Sequence, residues 1–252
     1  MARIIVFDSG FGSLSIIKPI QQAVKSDIIY FADQKNFPYG QKSKSELTKI
    51  ITKRLKLLEE KFKPDLIVVG SNTPSLLVQI KKKNVIKVLP PIKMAAKISV
   101  TGNIAILATH ATIKSKKLSE FIKKNKLARR INIKKINASK LVQLVESVKF
   151  IDDKNLCKRT INKVLSQEFS KYNIDVATLS STHLPFLLSF FNKQFPTVNF
   201  LDPGQEIADK VRKTVKKPSK RNSMKIFTSS KPEKFQKDLS KIGIKQKVTF
   251  LN

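Results

Sequence analysis

Ile4-Ile5-Val6-Phe7-Asp8-Ser9-Gly10-Phe11-Gly12 sets a uniformly apolar, β-branched run directly against a polar turn that carries glycine. A strand of this composition is buried on both faces, as in a parallel sheet covered by helices. The pattern recurs along the chain. Similar runs occupy Ile28–Phe31, Leu66–Val69, Lys87–Leu89, Ile104–Leu107, Ile131–Ile136, Asp175–Leu179, Val198–Leu201, Lys225–Thr228 and Lys247–Leu251. Helical patterns lie between them. The clearest starts at Ser43, which with Glu46 makes a capping box, and places Leu47, Ile50, Ile51, Leu55, Leu58 and Phe62 on one stripe. Strands alternating with helices predict an α/β fold of doubly wound type with mostly parallel sheets.

The 252 residues suffice for one large α/β domain or two small ones. With 50 Lys and Arg against 18 Asp and Glu, the formal net charge is +32, which raises nucleic acid, an anionic surface or an acidic ligand as partners. The positive charge is scattered, and no nucleic-acid-binding module is recognisable. The densest run, Lys114–Lys135, reads as a solvated helix face followed by an edge strand, while Arg212–Arg221 reads as a helix end entering a loop. A single cysteine, Cys157, excludes a disulfide framework, a cysteine-rich zinc site and a Cys-Cys redox pair. A reducing, cytoplasmic setting is expected. No apolar run approaches a membrane span, and the N-terminal run turns polar at Asp8, too early for a signal peptide.

In open α/β sheets ligands bind beyond the carboxyl ends of strands. The residues to inspect are therefore Asp8-Ser9-Gly10, Gly70-Ser71-Asn72-Thr73-Pro74-Ser75 and Ser180-Ser181-Thr182-His183-Leu184-Pro185, with the rigid turn Phe37-Pro38-Tyr39-Gly40 between the first two. Each also has an ordinary structural reading. Asp8 suits a turn or cap, Ser71 to Thr73 suit helix caps, and His183 suits a hydrogen-bonded structural role, as does His110 even more strongly.

Taken together these places resemble the glutamate racemase family within the wider aspartate/glutamate racemases. The matching segments are Val6-Phe7-Asp8-Ser9-Gly10, Pro38-Tyr39-Gly40-Gln41-Lys42-Ser43, Ser71-Asn72-Thr73-Pro74-Ser75, Leu144-Val145-Glu146 and Ser181-Thr182-His183-Leu184-Pro185. Weaker matches at Ala108-Thr109-His110-Ala111-Thr112 and Phe227-Thr228-Ser229-Ser230 extend the likeness over nearly the whole chain. The resemblance implies two similar α/β lobes, residues 1–94 with 202–252 and residues 95–201, holding glutamate or a similar acidic amino acid in the cleft between them. It implies no cofactor and no metal, and leaves a homodimer open.

The resemblance also implies two-base stereoinversion at the α-carbon by a pair of cysteines. Ser71 and Ser181 stand at those positions, Ser180 replaces a glycine, and Leu184 replaces a common tyrosine. The positions that tune the pair, Asp8, His183 and Glu146, match the family. So do the substrate-binding positions Asp8, Ser9, Tyr39, Gly40, Asn72, Thr73, Thr182 and His183. An unactivated serine hydroxyl is a far weaker acid than a thiol, so impaired catalysis is expected. Three readings stay open: a chain that binds without turnover, an active racemase whose cysteines were exchanged for serine, and a basic protein acting on nucleic acid or another anionic partner.

Overall fold

A computed structural model of the chain describes residues 2–252. Ten strands form two parallel sheets. β1 (Arg3–Asp8), β2 (Asp27–Ala32), β3 (Leu66–Val69), β4 (Val85–Lys87), β9 (Ser223–Thr228) and β10 (Val248–Phe250) build the larger, in the order β10-β9-β2-β1-β3-β4. β5 (Asn103–Ala108), β6 (Asn132–Asn137), β7 (Val176–Leu179) and β8 (Asn199–Leu201) build the smaller, in the order β6-β5-β7-β8. Every strand pair is parallel, with Ile4 beside Ile28 and Leu66, and Ile104 beside Ile133 and Val176. The α/β fold with parallel sheets is therefore as the apolar runs predict.

The helices are α1 (Ile17–Ala23), α2 (Lys44–Phe62), α3 (Asn72–Leu77), α4 (Ile92–Ile98), α5 (His110–Lys114), α6 (Lys116–Lys124), α7 (Ser139–Glu146), α8 (Lys149–Asp152), α9 (Lys154–Lys171), α10 (Leu188–Gln194), α11 (Gly204–Thr214) and α12 (Pro232–Lys241). α2 begins where its cap requires, with the Glu46 amide donating to Ser43 Oγ at 3.2 Å. The Glu46 carboxylate turns instead to Lys42, 3.0 Å away. Leu47, Ile51, Leu55 and Leu58 are buried, whereas Ile50 and Phe62 are half-buried. Arg54 takes a buried place on this face that periodicity assigns to apolar residues.

One strand differs from expectation. The run Lys87-Val88-Leu89 predicts a strand, yet pairing with β3 covers Val85–Lys87. Val88 leaves the sheet because its amide donates to Ser75 Oγ at 3.1 Å and its carbonyl accepts from Asn72 Nδ2 at 3.3 Å. The sheet edge thus ends in a tie to α3, which carries part of the cleft.

The basic run Lys114–Lys135 divides between α6 and β6, an edge strand of the smaller sheet. Lys117 pairs with Glu120 and Lys134 with Glu168, as on a solvated surface. No helix of the described residues is long and apolar enough to cross a membrane.

Candidate functional site in the cleft between the sheets

The carboxyl ends of the central strands of both sheets converge. β1 delivers Asp8 and Ser9, and β3 delivers Ser71, Asn72 and Thr73 at the start of α3. From the other sheet β5 delivers Thr109, and β7 delivers Ser180, Ser181 and His183. All of these, with Tyr39 and Gly40, line one small cavity of about 20 Å³. Ser71 and Ser181 therefore meet the same space from opposite sheets. A larger cavity of about 450 Å³ adjoins it, sharing Phe37, Pro38, Gly40, Thr109 and Val142 as walls. His110 lines the larger one alone.

Two of the sequence-predicted residues stand off the small cavity and join the sheets instead. Thr182 Oγ1 lies 2.8 Å from the Gly70 carbonyl and 3.1 Å from Asp8 Oδ2. A hydroxyl has one proton, so these two acceptors compete for it. Ser15 Oγ donates to the Thr182 carbonyl at 2.9 Å, adding a second tie. Glu146, at the end of α7, lies behind His183 with Oε2 2.8 Å from Nε2, and the same oxygen accepts from the Phe11 amide at 3.2 Å. Phe11 sits in the turn after β1, so this carboxylate also binds one sheet's loops to the other's. Gly12 makes the approach feasible, since a methyl group there would lie 2.3 Å from His183 Nδ1.

Burial and charge set the acid–base character. Burial raises Asp8 above its ordinary carboxylate value of 3.8, and Glu146 adds to the rise, against the pull of His183, the Ser9 amide and Thr182. Burial alone pushes His183 down, but the hydrogen bond and charge of Glu146, with Asp8 behind them, hold it above 6.5. Cys157 is buried on α9 with its thiol pushed up to about 11 by desolvation, and it does not line the cavity. It offers no thiolate to the site.

The serines carry no such activation. Ser71 occupies the N-cap of α3 with a side chain that accepts from no helix amide. Ser180 Oγ is 2.8 Å from Thr178 Oγ1 within β7 and is tied to its own strand. Leu184 is fully buried in the apolar core. The buried Asn72 Oδ1 has no hydrogen-bond partner among the described residues, although Nδ2 is held by Val88.

Two arrangements at and behind the cleft have no local sequence signature. Thr73, Thr109 and Thr112 bring three hydroxyls within 3.2 Å of one another across the two sheets. Thr73 and the segment Ala108–Thr112 each stand out in the sequence, but no local pattern brings their hydroxyls together. The second feature is Asp33, whose position after β2 marked it no more than any other turn residue.

No protein-family model matches the chain. A glutamate racemase of Actinobacillus pleuropneumoniae serotype 7 is 31% identical over 246 residues, covering 93% of this chain and 91% of the relative. One of Bartonella quintana is 31% identical over 244 residues, covering 90% and 88%. Among solved structures, a glutamate racemase isoform of Bacillus anthracis superposes with a TM-score of 0.87 at 22% identity, covering 100% of this chain and 97% of that one. The Escherichia coli enzyme, solved with L-glutamate and the activator UDP-MurNAc-Ala, gives 0.85 at 24% identity, covering 99% and 98%. The structures carry the fold and the relatives carry the sequence, and both run nearly end to end: the chain belongs to the glutamate racemase family.

Proposed function

We propose that the cleft binds an acidic amino acid, glutamate first, and inverts its α-carbon slowly or not at all. The observation that carries this reading is Asn72 Oδ1, a buried acceptor at the cavity wall without a protein donor. Leaving such a group unmet costs about 1–3 kcal/mol, and an α-ammonium supplies the missing donor. Hydroxyls at Ser9, Ser71, Thr73, Thr109 and Ser181, with backbone amides at the strand ends, suit carboxylates. Glutamate bound to the Escherichia coli relative, and D-glutamate bound to that of Francisella tularensis, support the choice of ligand.

Inversion requires a base on one face of the α-carbon and an acid on the other. Ser71 and Ser181 occupy those two faces in this reading, with Asp8 beside the first and the His183–Glu146 pair beside the second. Neither hydroxyl ionises near neutrality, so the tuning groups surround side chains they cannot turn into bases. The present cavity, about 20 Å³, has room for about one water. An amino acid therefore requires the cleft to widen. We take the lobes as residues 1–94 with 202–252 and 95–201, the first limit falling within α4, and the setting as cytoplasmic and cofactor-independent.

The test is calorimetry with L- and D-glutamate and aspartate, alongside α-proton exchange in D₂O. Binding of at least one enantiomer at or below millimolar concentration, with exchange near the protein-free rate, is expected. Absence of binding of every enantiomer would overturn the reading.

A further inference from the structure

The Tyr39–Gly40 turn forms part of the cavity wall, and a fully buried carboxylate holds it from behind. Asp33 follows β2 directly. Its Oδ2 accepts from the Tyr39 hydroxyl at 3.0 Å and from Asn36 Nδ2 at 2.8 Å. Its Oδ1 accepts from Arg54 Nε at 2.9 Å and from Ser229 Oγ at 2.8 Å. The Asp33 amide donates to the Asp8 carbonyl at 2.7 Å, and the Ser229 amide donates to the Ala32 carbonyl at 3.0 Å. The Asp33 side chain thus joins the loop after β9 to α2 and to the turn, while its amide ties the end of β2 to that of β1.

Tyr39 is 1% exposed, and its hydroxyl is committed to Asp33. Burial and the Asp33 charge keep its phenol well above the ordinary value, so it stays a donor throughout the working pH range. What the turn offers to the cavity is then its backbone. Placement of that backbone is tight: a methyl group on Gly40 would sit 3.0 Å from Thr109 Cβ on the opposite sheet. A small shift of the turn closes or widens the cavity.

We infer that Asp33 is the positioning residue of the binding wall, setting the Tyr39–Gly40 turn through the Tyr39 hydroxyl, with Tyr39 serving as a tether. For its effect on affinity the inference rests on the binding reading above. For the placement of the turn it stands by itself.

The experiment compares wild type, Tyr39→Phe, Asp33→Asn and the double variant by hydrogen exchange of residues 34–43 and by glutamate affinity. Tyr39→Phe keeps the ring and removes only the tether, so it carries the test even where Asp33→Asn unfolds. Leu58→Ala, at the far end of α2 in the same apolar cluster, reports general loosening of the lobe. Loss of a hydrogen bond to a carboxylate predicts about tenfold or more faster exchange in the turn and a comparably weaker affinity, with β1 and β3 unchanged. The double variant is expected to match Asp33→Asn, because the two residues act through one bond. Turn exchange that stays at the wild-type level, or rises no more than in Leu58→Ala, overturns the inference. A turn that loosens in a protein whose wild type binds no glutamate overturns the binding reading and leaves the positioning role standing.

Discussion

Two buried polar clusters sit at strand ends of the molecule, one around Asp33 and one in the cleft, and they differ in how completely their atoms are met. Around Asp33 both carboxylate oxygens receive two donors each. Around the cleft Asn72 Oδ1 has none, Ser71 caps no amide, and Asp8 competes with Gly70 for the single Thr182 proton. Burying polar groups is costly unless they are paired, so a cluster completed from within is framework and one left incomplete is a place for a ligand.

The largest expected effect lies in the incomplete cluster. Ser71→Cys together with Ser181→Cys is expected to raise racemisation by about 10²–10⁴-fold or more, measured by optical rotation. Either single change should do far less, giving deuterium exchange with retention on its own face. A silent double variant would mean that thiols at these two positions are not enough for inversion, with Leu184 the first suspect. In the complete cluster the stake is stability. Arg54→Met leaves Asp33 buried without its cation and is expected to cost about 3–5 kcal/mol in denaturant unfolding.

Gly12→Ala sharpens the comparison from the side of closure. The added methyl presses on His183, and overpacking of about 1–3 kcal/mol is expected in the same assay. The pH dependence isolates the Glu146–His183 tie. Because His183 and Asp8 both hold protons more tightly folded than unfolded, they contribute stability that falls as pH rises. The His183 part is complete below pH 6.5 and is lost as pH passes its higher folded value. Glu146→Gln removes the main cause of that rise and leaves burial to push His183 below 6.5, so its contribution to stability should instead grow as pH rises, each unit of displacement being worth about 1.4 kcal/mol. The smallest effect is expected from Cys157→Ala: roughly 1 kcal/mol of stability and unchanged glutamate affinity, since its thiol lies in the core away from the cleft.

Much of the architecture was legible in the chain because strand burial and helix capping depend on near neighbours. The apolar and β-branched runs located nine of the ten strands, and Ser43 located the start of α2. β4 shifted because Ser75 and Asn72 engage Val88, an interaction whose partners lie 13 and 16 residues away. Arg54 could not be foreseen on a buried stripe, since its partner belongs to the end of β2. The candidate site was legible as a set of strand-end residues, but not as an arrangement. Thr182 is expected at the substrate and Glu146 beside His183; both also bridge the two sheets, which no local pattern signals.

The parallel strands and their polar ends follow from residue identity and spacing alone. Which polar atoms are met and which are left over is set by tertiary packing. Glu146 reaches His183 across 37 residues and Ser229 reaches Asp33 across 196. Such pairings depend on sheet order and on how closely two sheets' loops approach, which local periodicity does not encode.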